Sequence, residues 1–216
     1  MVCLSVIPVF ATSVMPTAVN RYKQQQPDLL LEVSVKNTPE IVDAVLLQQL
    51  DLGIICPTHP YEGIHVVYQT SVSYRCLVPL SHPIIKGRGK ANERHKYEID
   101  LSTLINQELI TLDPHYLEQV CDEPGIIRKL KPNIRIISHS DPAIAAIASA
   151  TQSIAIVDPY TAKIAASQGD MISLPIKQQL DYPIAIIARS RNTLSLAATK
   201  LAEVLVDSFE EPTPSY

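Results

Sequence analysis

Residues 4–55 read LSVIPVFATSVMPTAVNRYKQQQPDLLLEVSVKNTPEIVDAVLLQQLDLGII, and the succession of periods in this stretch decides the fold class. An apolar run over 4–7 breaks at Pro8. Val14, Met15, Ala18, Val19 and Tyr22 then recur at the spacing of one helical face, so the first unit reads strand, loop, helix. Thr12 or Ser13 suits the N-cap, with Pro16 in the first turn, where a missing N–H is tolerated. Pro27 and Asp28 turn the chain, and the β-rich run 29–35 is a second strand. Asn37, Thr38 and Pro39 open an amphipathic helix through Ile41, Val42, Val45, Leu46 and Leu50. Residues 51–55 make a third strand. This alternation predicts a parallel α/β sheet, because parallel neighbours need a crossover helix. Helix starts at Thr12 and Thr38 then share one sheet edge, the place where open α/β sheets take ligands. Unpaired N–H groups and the positive end of the helix dipole suit a carboxylate or another anion there.

Beyond this block, 58–63 is a loop, 64–69 and 73–79 are extended runs, and 86–96 is a polar, basic, glycine-broken surface loop with the composition of a disordered segment. Residues 100–105 make a short helix capped by Asp100. A strand over 108–112 leads through Asp113, Pro114, His115 and Tyr116 into a helix ending near Asp122. A strand over 134–137 leads through Ser138, His139, Ser140, Asp141 and Pro142 into the helix 143–150. The strand 154–157 leads through Asp158 and Pro159 into a helix ending near Ala166. The repeated grammar of strand, polar cap and helix predicts a second α/β subdomain. Late strands at 171–175 and 183–188 precede an amphipathic helix over 193–209, with Leu194, Ala197, Ala198, Leu201, Val204 and Leu205 on one face, and a tail over 210–216. The last elements return to the first block, which gives subdomain I as 1–70 plus 176–216 and subdomain II as 71–175. Two such subdomains joined by two crossings close around a ligand by hinge motion.

A chain of 216 residues, 46% hydrophobic, with a mean hydropathy of +0.11, has enough apolar surface for a folded core. It holds no apolar run near the roughly 20 residues that cross a bilayer and no secretory leader pattern, which predicts a cytoplasmic protein with no membrane partner. A net charge of −4 with scattered basic residues gives no general attraction to phosphate backbones. Cys3, Cys56, Cys76 and Cys121 are widely spaced without a CxxC pair, and Cys3 and Cys76 lie in apolar runs, so they read as buried thiols rather than as disulfides or zinc ligands. The six histidines show no ligand spacing, and no metal site is expected. A Walker loop, GxSxG and GxGxxG are absent, and no cofactor is expected.

The order of several short motifs carries a resemblance. The opening strand ends near Pro8 and is followed by Val14, Met15 and Pro16; next come Ala44, Val45, Leu50, Asp51, Leu52, Gly53 and Ile54; then 77–79 followed by His82, Pro83 and Ile84. Residues 149–158 look like an alanine-rich helix and the strand after it. In this order the chain resembles the effector-binding domain of LysR-type transcriptional regulators over nearly its full length. Ile7, Pro8 and the 154–159 stretch IAIVDP are most similar to the branch that senses opines such as octopine and nopaline. The resemblance implies two Rossmann-like subdomains joined by two crossover strands, a type 2 periplasmic-binding-protein-like fold, with a small effector in the cleft between them. It implies assembly as a homodimer or homotetramer, by antiparallel pairing of a first-subdomain helix with a second-subdomain helix. DNA contact is implied only through a winged helix-turn-helix that is expected to precede this domain and is absent from these 216 residues, so the chain is expected to be a fragment. Where the family has glycines after the alanine-rich helix, this chain has Thr151, Gln152 and Ser153, a departure that bears on the local backbone.

Carried over residue by residue, the effector positions fall on Val9, Phe10, Ala11, Thr12 and Ser13, on Asn37 and Thr38, near Asp113 and Tyr116, and on Ser138, His139, Ser140 and Asp141. Thr12, Ser13, Asn37 and Thr38 offer donors to the carboxylate of an amino-acid-like effector. Asp113, Asp141 and Asp158 offer negative charge to an ammonium or guanidinium group, and Tyr116 or Phe10 an aromatic face for a cation. Each Asp also has the pattern of a helix N-cap, and His139 that of a structural histidine. The function implied is an inducer-sensing domain. A substrate-binding protein of a transport system has the same two-lobed architecture, but the missing leader and the short lobes favour the regulator. An enzyme needs a nucleophile and base that converge, and Ser140 beside His139 is the one adjacent pair, so no catalytic residue is expected.

Overall fold

The computed structural model describes residues 1–85, 97–190, 192 and 194–210. The basic loop expected at 86–96, Thr193 at the start of the expected last helix, and the expected tail from 211 onward lie outside the described residues. In chain order the first elements are β1 Val2–Val6, α1 Pro8–Thr12, α2 Met15–Gln25, β2 Leu31–Val35, α3 Thr38–Leu46, β3 Leu52–Ile55, β4 His65–Ser73 and β5 Arg75–Pro79. After them come β6 Leu109–Thr111, α4 Pro114–Val120, α5 Pro124–Leu130, β7 Ile134–Ile137, α6 Asp141–Thr151, β8 Ile154–Val157, α7 Pro159–Ser167, β9 Met171–Pro175, β10 Asp181–Ala188 and α8 Leu196–Glu210.

The chain divides into two compact units, Met1–Ser71 with Pro183–Tyr216 and Val72–Tyr182. The return to the first unit falls at Pro183 rather than at 176, because residues 176–180 are tied into unit 2. Ile176 bridges Ile99, Leu180 bridges Cys121, and the buried Gln178 accepts a hydrogen bond from Leu101 N–H at 3.0 Å.

Unit 1 is built on a sheet of order β2-β1-β3-β10-β4. β1 runs parallel to β2, from Val2 opposite Leu31 to Val6 opposite Val35, and parallel to β3, with Leu4 opposite Leu52. β10 returns antiparallel to β3. The expected parallel β1–β3 core is present, but its helix starts are displaced. α1 opens at Pro8, directly after the strand, because proline's fixed φ suits the first helical position and its missing N–H is unpaired there in any case. Thr12 is the last residue of α1 and Ser13 its C-cap, with the Ser13 hydroxyl donating to Val9 O at 2.6 Å. The helix expected to start at Thr12 or Ser13 is α2, whose N-cap is instead Val14, and Ile7 is the N-cap of the additional helix α1. Pro16 does lie in the first turn of the next helix, α2. α3 stops at Leu46, short of the expected Leu50, because Gln48 adopts the left-handed φ of 56°.

Unit 2 is built on a sheet of order β7-β6-β8-β5-β9, with β6 parallel to β7 and β8, and β5 antiparallel to β8 and β9. Its core joins Leu77, Ile110, Ala155 and Val157 of the sheet to Ile144, Ala145 and Ala148 of α6 and Ala162 and Ala165 of α7. The alanines let both helices approach the strands closely. α5 has no counterpart in the sequence reading, since PGIIRKL is short and carries Gly125, yet it buries Ile126, Ile127 and Leu130. After α6 the chain makes a left-handed turn without a glycine. Gln152 takes φ 54° and ψ 42°, and its side chain holds the turn by donating to Ser149 O at 2.9 Å and accepting from the Ser81 hydroxyl at 3.1 Å.

Candidate functional site

In unit 1, three parallel strands end at one sheet edge, and each hands the chain to a turn or helix there. β1 delivers α1, whose start has no side-chain cap. β2 delivers α3, whose start is closed by a capping box: Asn37 Oδ1 accepts from Glu40 N–H and Glu40 Oε2 accepts from Asn37 N–H, both at 3.0 Å. The box spends the Asn37 carbonyl but leaves its Nδ2 donors and the half-buried Thr38 beside it. Glu40 also places a negative charge in the first turn, which disfavours an anion directly over α3.

The expected contacts after β1 separate by burial. Val9 is 4% exposed and Phe10 is fully buried, its ring edge-on to Phe209 with centroids 5.2 Å apart. Both are core residues, which takes the Phe10 ring away from the aromatic role expected of it, and the Phe10 N–H is spent on Ile7 O at 3.1 Å. Ala11 and Ser13 are half-buried and Thr12 is exposed.

Unit 2 repeats the arrangement at the ends of β6, β7 and β8, which lead to α4, α6 and α7. Asp113 caps α4 by accepting from His115 N–H at 2.9 Å, and Tyr116 follows, half-buried, one turn in. His139 is exposed, and Ser140 N–H donates to the Ser138 hydroxyl at 3.3 Å. Among the described residues no hydrogen bond joins Ser140 to His139. Asp141 and Asp158 lie inside. Asp141 is 6% exposed and accepts from Asp158 N–H at 3.2 Å, while Asp158, fully buried, caps α7 by accepting from Tyr160 and Thr161 N–H at 2.8 and 3.0 Å. Burial, and then the Asp158 charge, push the Asp141 carboxyl well above the ordinary range; burial pushes Asp158 to about 6. These two carboxyls serve helix starts rather than solvent.

A third group at the unit 1 edge was visible in the sequence only as a loop. After β3 come the half-buried Cys56 and then Thr58, whose hydroxyl lies 2.9 Å from His59 Nδ1, with the His59 ring tilted against Tyr61 at 4.4 Å. The signal that would have found it is the third parallel strand itself, since its end must open on the same edge as the first two. No disulfide joins the four cysteines; Cys76 is fully buried, which pushes its thiol up to about 12. Among the described residues no cluster of three or more His, Cys, Asp or Glu is placed to hold a metal, and no helix is long and apolar enough to cross a membrane.

Residues 1–210 match the family model described as the LysR substrate binding domain. The transcriptional activator protein LysR of Escherichia coli (strain K12) is 23% identical over 166 residues, covering 77% of this chain and 51% of that protein, so the chain spans about half the length of the curated relative it matches. The effector binding domain of BenM with its effector benzoate superposes with a TM-score of 0.74 at 17% identity, over 98% of this chain and 95% of that one. The effector binding domain of QuiR in complex with shikimate does so with a TM-score of 0.72 at 16% identity, over 95% of each chain. At these identities the two structures bear on the fold.

Proposed function

We propose that this chain, which belongs to the LysR substrate binding domain family, senses a small amino-acid-like or other nitrogenous acid and relays its binding to an attached DNA-binding domain in the cytoplasm. The observation that carries the proposal is the paired edge of unit 1, where the uncapped start of α1 and the Asn37–Thr38 start of α3 leave adjacent parallel strands side by side. The Val9 main-chain N–H with the side chains of Thr12, Asn37 and Thr38 takes the carboxylate, since the Phe10 N–H and the Ser13 hydroxyl already donate to Ile7 O and Val9 O. An acid is also the chemistry of benzoate, the effector of BenM, and of shikimate, held in the QuiR complex. On unit 2 the accessible set is Asp113, Tyr116, His139 and Ser140, a carboxylate and an aromatic ring suited to an ammonium or guanidinium group. Transmission requires that the effector bind one state of the domain better than another, since a ligand shifts an equilibrium only by that difference.

A thermal-shift screen against amino acids, opines, polyamines and aromatic acids identifies the class, because a ligand of the folded state raises the melting temperature by mass action. With the ligand in hand, Thr12→Val and Thr38→Val each cost about 1 kcal/mol of binding, roughly fivefold in affinity, at an unchanged unfolding midpoint. Unchanged affinity in both variants places the site elsewhere.

The same proposal includes assembly as a homodimer or homotetramer. Edge strand β2 exposes Val33 and Val35 at 40% and 53%, and edge strand β7 exposes Ile137 at 52%, apolar edges that natural sheets rarely leave bare. Sedimentation at rising concentration should show species larger than the monomer; monomer alone at the highest concentration removes this part of the proposal.

A further inference from the structure

Two acids of unit 2 lie in its interior, and among the described residues neither forms an ion pair. Asp141 opens α6 and Asp158 caps α7, and they meet where Asp158 N–H donates to Asp141 Oδ1. Asp158 Oδ1 is spent on the first turn of α7, whereas Asp158 Oδ2 is buried with no hydrogen-bond partner. A lone buried carboxylate oxygen is costly if it carries charge, and two buried charges side by side are costlier.

Among the described residues no ion pair reaches either carboxyl. α6 packs on α7, β8, β6 and β5, and α7 packs on α6, β5 and β9. α6 has no other ionisable residue, and β6, β8 and β9 have none at all. On α7 the other ionisable groups are Tyr160 and Lys163. On β5 they are the buried Cys76 thiol and Arg75, whose guanidinium is held by Ser173, with Nε 3.1 Å from the Ser173 hydroxyl and Nη2 3.2 Å from its carbonyl. His139, just before α6, is exposed. The ion pairs of the described residues lie elsewhere, at Glu118 with Arg128 and Lys131, Glu108 with Arg135, and Asp100 with Lys177.

From this geometry we infer that Asp141 and Asp158 share one proton near neutral pH, and that this proton clamps the start of α6 to the start of α7. A protonated carboxyl is a donor, which gives the unpartnered Asp158 Oδ2 its role as one end of the shared proton, with the Asp141 carboxyl as the other. Loss of the proton leaves two like charges across the helix junction, so the clamp is a pH-responsive element in unit 2. It is independent of the effector reading above.

The sign follows from burial. The unfolded carboxyls titrate near 4 and the folded ones higher, Asp158 at about 6 and Asp141 above its usual range, so the protonated pair stabilises the fold fully on the acid side, and that stabilisation is lost as pH rises through about 6, where the first proton leaves, and beyond, where the shared one does. The test is a side-chain carboxyl carbon-13 titration of the whole chain, with melting curves from pH 5 to 8. In the wild type, the carboxyl carbons of this pair should titrate well above 4. Its melting temperature should fall with rising pH by several degrees more than that of Asp141→Asn, whose amide keeps the Asp158 N–H bond and imitates the protonated state. Titration of both carboxyls near 4, or the same pH slope in wild type and Asp141→Asn, overturns the inference. If Asp141→Asn does not fold, the wild-type titration decides alone.

Discussion

Phe10→Ala lowers the stability of unit 1 by about 3–5 kcal/mol, the cost of removing a large aromatic side chain from a packed core. Phe10 is fully buried, and its ring stands edge-on to Phe209, the geometry in which aromatic quadrupoles attract. The pair fastens α1 to α8, the last helix among the described residues, so the loss is felt by an element about 200 positions away in sequence. With a total stability of the order of 5–15 kcal/mol for a domain, such a loss takes a large share of it. Denaturant titration reads the effect as a lower midpoint, while Phe10→Leu, which keeps most of the volume, loses much less. A loss below about 1 kcal/mol in Phe10→Ala would show that the ring is not a core element and would return it to the residues facing an effector.

Phe10 also marks how far the sequence was legible. Its apolar neighbours Ile7, Val9, Val14 and Met15 announced a strand followed by helix, and the alternation of such units through 157 was enough for two α/β units, because period and crossover length are local properties of the chain. What was not legible is where each helix begins and which side of it faces inward. Pro8 and Pro16 are both acceptable near a helix start, and only tertiary packing shows that both are used, for two short helices instead of one. Asp141 and Asp158 have the sequence of solvent-facing N-caps, and Asp158 does cap α7, yet both are buried because the small alanines of α6 and α7 let the helix starts close over them. The helix start at Asn37, Thr38 and Pro39 was read in the right place since its signal, a polar cap followed by a proline, is wholly local, and the structure adds Glu40 as the second half of a capping box. The Thr58–His59 pair was missed because a loop's value depends on the strand it leaves, a fact of topology.

Gly53→Ala tests whether the start of α3 is held by the sheet beneath it. Gly53 sits in the middle of β3, opposite Ser5 on β1 and Ile187 on β10. A Cβ there would overlap Ile41 Cγ2 of α3 outright and come within 3.1 Å of Ile187 Cγ1. Neither neighbour can yield easily, since both are buried and isoleucine is stiff at χ1. The helix itself must move, at about 1–3 kcal/mol or more for overpacking. That movement carries Asn37 and Thr38 with it, so Gly53→Ala should weaken effector binding as well as stability, although residue 53 touches no ligand. Ile41→Leu removes the branch at Cβ while conserving volume and alone costs under about 1.5 kcal/mol. If the overlap with Cγ2 is the cause, Gly53→Ala combined with Ile41→Leu recovers part of both losses, a coupling that a double-mutant cycle measures directly. Strictly additive losses would mean that the strain at Gly53 lies in the strand and not in the seat of α3, and the two effects would then separate, with stability reduced and affinity kept.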